Sequence, residues 1–168
     1  MTIILGIDPG SRITGYGVVR VSRHQLTLLA DGCIHLGSGP MAERLVKLFD
    51  ELNGIISTHQ PDEAAVEKVF MNRNADSALK LGHARGGAIL TVARAGVAVH
   101  EYAATLIKQT VVGRGHAEKG QVQHMVGALL KLEHQPPTDA ADAIAAAICH
   151  AHMRDGVARI ALAGGGRR

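Results

Sequence analysis

The sequence predicts an α/β fold built on a five-stranded mixed sheet, in which an antiparallel meander is followed by parallel strands and flanked by helices. Two patterns carry that expectation. Three strand-like segments follow one another up to Cys33, separated only by short turn signals, which is how a meander reads. Beyond them, segments with helical spacing alternate with two short apolar runs, which is how crossover connections return a chain to a parallel sheet.

A length of 168 residues suits one domain, here expected over 1–153, with 154–168 as a flexible basic tail that includes Gly164-Gly165-Gly166 before Arg167 and Arg168. A hydrophobic fraction of 46% with 20% charged residues is that of a globular protein, and no apolar run approaches membrane-spanning length. The amino terminus enters a strand pattern at once, without a signal segment, so a cytosolic location is expected. Cys33 and Cys149 are too few for a disulfide framework and have no metal-ligand spacing. The net charge of +3 is compatible with a polyanionic partner without requiring one.

The first strand, Ile3-Ile4-Leu5-Gly6-Ile7-Asp8, is apolar enough to be covered on both faces, and Pro9-Gly10 forces the chain out of it. Asp8 thus stands at a strand exit, as a turn cap or as a ligand for a cation. Thr14 to Val21 and Gln25 to Cys33 complete the meander. From Met41 to about Thr58, Leu45, Val46, Leu48, Phe49, Leu52 and Ile55 recur at helical spacing. Ala64-Ala65-Val66-Glu67 is then a short strand, again ending on a carboxylate, and a crossover would put Glu67 near Asp8. Phe70 to Asn74 reads as a loop before a helix from Asp76 or Ser77 to about Ala95. In that helix Gly82 and Gly86 share a face and mark close approach of another helix, within the fold or across a two-fold axis, the first being favoured. Gly96 to Glu101 forms the fifth strand, and helices follow over Ala104 to Val112, Lys119 to Leu132 and Asp139 to about His152, the last capped by Thr138.

Asp139 and Asp142, three residues apart, point to one side of the final helix. Their position in its first turn is also where the helix dipole favours acids regardless of function. Two strand-end acids and two acids on a helix face make a set of hard oxygen donors, suited to Mg²⁺ or Mn²⁺ rather than Zn²⁺. A pair of such ions is the natural compensation for four converging carboxylates, and supports in-line displacement at phosphorus. The ten histidines show no HExxH or paired Cys/His spacing, and none is assigned to catalysis. His124 is the one singled out for a secondary role.

Leu5 to Gly17, Glu67-Lys-Val-Phe70-Met, Asn74 to Gly82, Lys108-Gln-Thr-Val-Val-Gly, Ala117-Glu-Lys119 and Asp139-Ala-Ala-Asp142-Ala together resemble the RuvC family of Holliday-junction resolvases, collinearly to about His152. The resemblance implies a ribonuclease-H-like fold and a homodimer. It implies Mg²⁺-dependent, symmetric cutting of opposing strands of a four-way DNA junction, with two ions per subunit, in recombination and repair at the nucleoid. Asp8, Glu67, Asp139 and Asp142 would be the catalytic, metal-binding tetrad, the last position being a histidine in some relatives. Lys108 and Lys119 would contact DNA or the reacting phosphate, with Arg114 in the basic Gly113-Arg114-Gly115-His116 loop as a further DNA contact. The helix after Asn74 would form the dimer interface. A branch-migration helicase complex of the RuvA and RuvB type is implied as a partner. Phe70, one of only two phenylalanines, reads from sequence equally as core packing or as base stacking; the resemblance favours stacking at the junction.

Two other functional classes remain at this level. An actin-like ATPase or phosphotransferase shares a strand followed by Asp-x-Gly, although such enzymes close two domains on nucleotide and this chain has room for one. A non-catalytic junction-binding module would have little use for four acids facing DNA.

Overall fold

In the computed structural model, which describes residues 1–68 except His24, and 74–164 with side chains to Arg154, ten elements follow in chain order. They are β1 (Thr2–Asp8), β2 (Ile13–Ser22), β3 (Gln25–His35), α1 (Met41–His59), β4 (Glu63–Lys68), α2 (Ala75–Arg94), β5 (Ala98–Ala103), α3 (Ala104–Val112), α4 (Lys119–Leu130) and α5 (Thr138–Gly164). The sheet order is β3-β2-β1-β4-β5, with β1, β2 and β3 antiparallel and β1, β4 and β5 parallel. The meander and both crossovers are therefore as the sequence predicts.

Alternation along β1 sends side chains to two separate cores. Leu5 and Ile7 join Val18, Ile34, Leu48, Leu52, Val66, Ala88 and Val92 in a core between the sheet and helices α1 and α2. Ile4 joins Val19, Ala65, Ile107, Val111, Val122, Val126, Ile144 and Ile148 on the opposite face, under α3, α4 and α5. Both faces of β1 are thus covered, which explains its continuous apolar run.

Helix α5 lies directly on the sheet. Gly6, Gly15 and Gly17 form the patch of β1 and β2 beneath it. A Cβ at Gly6 would collide with the carbonyl oxygen of Ala143, one at Gly15 with that of Asp139, and one at Gly17 with the Ile144 side chain. From the helix side the contact is completed by Ala140, Ala143 and Ala147, all fully buried. Small residues on both partners let backbone approach backbone, and that contact places the first turn of α5 beside the end of β1.

Beyond shifts of one or two residues at element ends, three local details differ from the sequence expectations. Helix α5 starts at Thr138, and the Ala141 N–H donates to the Pro137 carbonyl at 2.8 Å, so Pro137 rather than Thr138 occupies the cap position. The helix continues to Gly164, past His152, because Gly156 alone weakens but does not stop a run of good helix formers. At Gly82 and Gly86 an added Cβ would meet nothing within 4 Å among the described residues, so the favoured reading of these glycines as intramolecular packing sites does not hold. Only Gly87 faces α1, through Leu45 and Leu48. The Phe70 to Arg73 part of the predicted loop, and residues 165–168 of the predicted tail, lie outside the described residues.

The glycine patch makes a specific prediction. Gly15→Ala should destabilise the protein by about 2–4 kcal/mol, since the obstruction is backbone and cannot rotate away. Gly54→Ala, in the interior of α1 with nothing within 4 Å among the described residues, should stabilise it by about 0.5–1 kcal/mol. Urea unfolding of the two variants against the parent checks both signs.

Candidate active site

Sheet register decides which side chains meet. Asp8 pairs with Gly15 on one side, and on the other Ile7 pairs with Val66, so Glu67 comes level with Asp8 on the adjacent strand. Both belong to the parity class that faces α5: Ile4, Gly6 and Asp8 on β1, and Glu63, Ala65 and Glu67 on β4. Gly15 under Asp139 is the point at which α5 is lowered onto this end of the sheet. The result is a cleft of about 160 Å³ lined by Asp8, Glu67, Ala104, Ile107, Lys108, Lys119, Val122 and Asp142. Asp139 stands one turn before Asp142, half-buried at the margin of this lining.

The two lysines reach the cleft from short helices. Ile107 and Val111 anchor α3 in the core, which leaves Lys108 on the cleft side. In α4 a capping box fixes the first turn: the Glu118 side chain accepts from the backbone of Gln121, and the Glu118 N–H donates to the Gln121 side chain at 3.0 Å. Ala117 is buried just before it. Lys119 therefore begins the helix in a fixed place, and its Nζ lies 3.5 Å from Asp142 Oδ2. Ala117-Glu118-Lys119 thus works as a buried anchor, a helix cap and a cation.

The charges are not balanced. Burial first, then the fields of Glu67, Asp142 and Asp139, push the Asp8 carboxyl up to about 7, with Lys119 opposing. Burial raises Glu67 as well, with Asp142 adding to it and Lys108 and Lys119 opposing. Burial also raises Asp142, against the counter-effect of Lys119 and with Asp139 adding to it. Three carboxylates held above their ordinary range around one cleft, with two ammonium groups beside them, are short of positive charge. Hard oxygen donors with that deficit fit a divalent cation such as Mg²⁺ or Mn²⁺.

Of the residues singled out from sequence, Asp8, Glu67, Asp142, Lys108 and Lys119 come together, and Asp139 adjoins them. Arg114 does not: it is exposed in the loop before α4 and is not part of the cleft lining. His124 is exposed on α4, away from the cleft lining. Phe70 lies outside the described residues. Sequence reasoning missed Ala104, Ile107 and Val122 as walls of the cleft, because apolar residues on helices carry no mark of which cavity they will border. It also missed a group formed by Glu63, His100 and His150, whose members come from three elements far apart in the chain.

Comparison with known proteins agrees with this geometry. Residues 4–150 match the family model for crossover junction endodeoxyribonuclease RuvC. The protein of that name from Marinobacter nauticus is 58% identical over 165 residues, covering 98% of this chain and 94% of the relative. Its counterpart from Pseudomonas aeruginosa is 53% identical over 168 residues, covering all of this chain and 97% of the relative. Among solved structures, that of Thermus thermophilus RuvC in complex with a Holliday junction substrate superposes with a TM-score of 0.85 at 34% identity, covering 93% of this chain and 97% of that one. The yeast mitochondrial Holliday junction resolvase has a TM-score of 0.62 at 11% identity, which shows a shared fold. From its first strand to the middle of α5, the chain belongs to the RuvC family of crossover junction endodeoxyribonucleases.

Proposed function

We propose that this protein resolves four-way DNA junctions by hydrolysing a phosphodiester bond in each of two opposing strands, with Asp8, Glu67, Asp139 and Asp142 as its catalytic, metal-binding carboxylates. The observation that carries the reading is the convergence of three of these acids with Lys108 and Lys119 on one cleft. Nucleases of this family are metal-dependent; Mg²⁺, two ions per subunit, is the cofactor proposed. Bound there, it supplies the Lewis acidity and charge neutralisation that displacement at phosphorus needs.

The chain's own residues set the rest. Lys119, fixed at the start of α4, and Lys108 on α3 present ammonium groups to the scissile phosphate and offset its charge beside the acids. The acids, lying on β1, β4 and α5, are held by rigid elements rather than loops. In the reaction, water oxygen bonds to phosphorus, the bond to the 3′ oxygen breaks, and that oxygen takes up a proton. The products are a 5′-phosphate and a 3′-hydroxyl. Phe70, two residues beyond the last residue of β4, is proposed to stack on bases at the crossover, and Arg114 to touch backbone phosphate. A junction helicase complex of the RuvA and RuvB type, acting with this protein at the nucleoid, completes the proposed assembly.

Cutting two strands symmetrically needs two sites, and α2 offers the surface for a second copy. Leu79 and Leu90 are 61% and 60% exposed, and Gly82 and Gly86 lie between them on the same face with open space above among the described residues. Small residues flanked by exposed leucines suit a helix packing on its symmetry mate. The double variant Leu79→Glu, Leu90→Glu should sediment as a monomer at concentrations where the parent is a dimer, and should nick junctions without paired cutting. A parent that sediments as a monomer at all concentrations would refute the interface.

Asp8→Asn should lower cleavage of a synthetic mobile junction by roughly a hundredfold or more, about 3 kcal/mol of barrier, while junction binding measured in Ca²⁺ persists. Cleavage at the parental rate in Mg²⁺ would remove Asp8 from the reaction.

The charge deficit has its own test. The Asp8 carboxyl has a folded pKa of about 7, above its ordinary value of 3.8. Between those values the folded protein holds a proton that the unfolded chain has released, so Asp8 costs stability increasingly as pH rises from about 4 to 7. In EDTA at pH 8, Asp8→Asn should therefore melt several degrees above the parent, a gain of about 1–3 kcal/mol. The gap should close at pH 4, and Mg²⁺ should raise the melting point of the parent more than that of the variant.

A further inference from the structure

The face of the sheet that carries the acids has a second group of donors at its other end. Glu63 opens β4, four residues before Glu67 and on the same face. His100 pairs in register with Ala65 on the neighbouring strand β5, and His150 descends from α5 onto both. One ligand atom from each of Glu63, His100 and His150 lies within 4.8 Å of the other two. Four residues of strand and eight of helix separate this group from Glu67 and Asp142, about 13 Å and about 12 Å. It is therefore a separate site from the catalytic cleft.

We propose that Glu63, His100 and His150 bind one divalent transition-metal ion of the Zn²⁺ type. Two imidazoles and a carboxylate are the donor set of three-ligand zinc sites with one open position, and are poorly matched to Mg²⁺. His150 is 1% exposed, and its ring is held at both nitrogens. Its Nδ1 is 2.6 Å from the Tyr102 hydroxyl, and its Nε2 hydrogen-bonds Glu63 Oε2. The His100 ring stacks on it with centroids 4.2 Å apart and planes 27° from parallel, so joint coordination of one ion requires the half-buried His100 ring to turn out of the stack. Tetrahedral donors around zinc stand about 3.3 Å apart, so an ion would part His150 Nε2 from Glu63 Oε2, which are now hydrogen-bonded directly, and draw His100 inward.

The proton balance is simple. Without metal, His150 Nε2–H donates to Glu63 and Nδ1 accepts from Tyr102. With metal, Nε2 gives its lone pair to the ion, the proton resides on Nδ1 and is donated to the Tyr102 oxygen, a role a phenol accepts equally well. Arg154 Nε, 2.8 Å from Glu63 Oε2, holds the carboxylate in place from outside; its charge opposes the ion and sets an upper limit on affinity. The ion would clamp β5, and β4 with its Glu67, to α5 with its Asp142.

The full-length protein, stripped with EDTA and then kept in excess Mg²⁺, is titrated with Zn²⁺ against a chromophoric chelator and, separately, with Co²⁺ followed by its visible ligand-field absorption. One equivalent per chain is expected in the parent and in Asp8→Asn. His100→Ala and Glu63→Gln, verified as folded by circular dichroism, should each bind at least about tenfold more weakly, and Tyr102→Phe about tenfold more weakly. Zn²⁺ should raise the melting point of the parent and not of His100→Ala. No uptake in excess Mg²⁺, or uptake that Asp8→Asn abolishes, or uptake that His100→Ala leaves intact, would overturn the assignment.

Discussion

The structure depends on a contact made of almost nothing: three glycines of β1 and β2 against the alanines of α5. Because Gly6 and Gly15 face helix carbonyl oxygens with no room for a Cβ, α5 rests on the sheet backbone to backbone. That proximity brings a helix turn bearing Asp139 and Asp142 to a strand end bearing Asp8. A larger residue at either glycine would lift the helix, and the acids would move apart with it. The alanine content of α5, which reads as simple helix propensity, is equally a steric requirement of this interface.

Bringing the acids together creates an electrostatic problem that the protein solves only in part. Burial and mutual repulsion raise Asp8, Glu67 and Asp142, and Lys108 and Lys119 offset the effect without cancelling it. A site left short of positive charge in this way is disposed to take cations. It also explains how a cluster of acids can approach a polyanion: the lysines at its edge, and the cations it recruits, reverse the local sign. Stability in the metal-free state is given up for that readiness, a familiar exchange at functional sites.

The same sheet face carries two donor sets of different chemical hardness, one at each end of β4. Glu67 belongs to a set of carboxylates, and Glu63 to a set with two imidazoles. Two-residue alternation puts both glutamates on one face, and the distance along the strand keeps them apart. Helix α5 contributes to both sets, through Asp142 in its first turns and His150 further along. Across the sheet, α2 packs on α1 with Ala84, Ala88 and Val92 buried, leaving Leu79, Gly82, Gly86 and Leu90 for a surface of its own.

Much of this was legible in the sequence. Strand and helix identities follow from periodicity, and the mixed sheet follows from short turns before Cys33 and helical crossovers after it, because these are local properties of the chain. Asp8 and Glu67 could be placed together because both end strands that a crossover makes parallel, and Asp139 and Asp142 because helical spacing is fixed. Other features were decided by tertiary structure alone. Whether Gly82 and Gly86 face a helix of the same chain depends on the rotation of α2 about its axis, which packing against α1 sets and composition does not. Arg114 lies in a basic loop that reads as part of the site, yet only the anchoring of α3 and α4 decides that Lys108 and Lys119 reach the cleft lining and it does not. Glu63, His100 and His150 meet only because β5 pairs with β4 and α5 lies across both, so no spacing in the chain announces them. Sequence by itself determined the elements and the acids at their ends; the close approach of α5 to the glycines decided what those acids, and the histidine behind them, could reach.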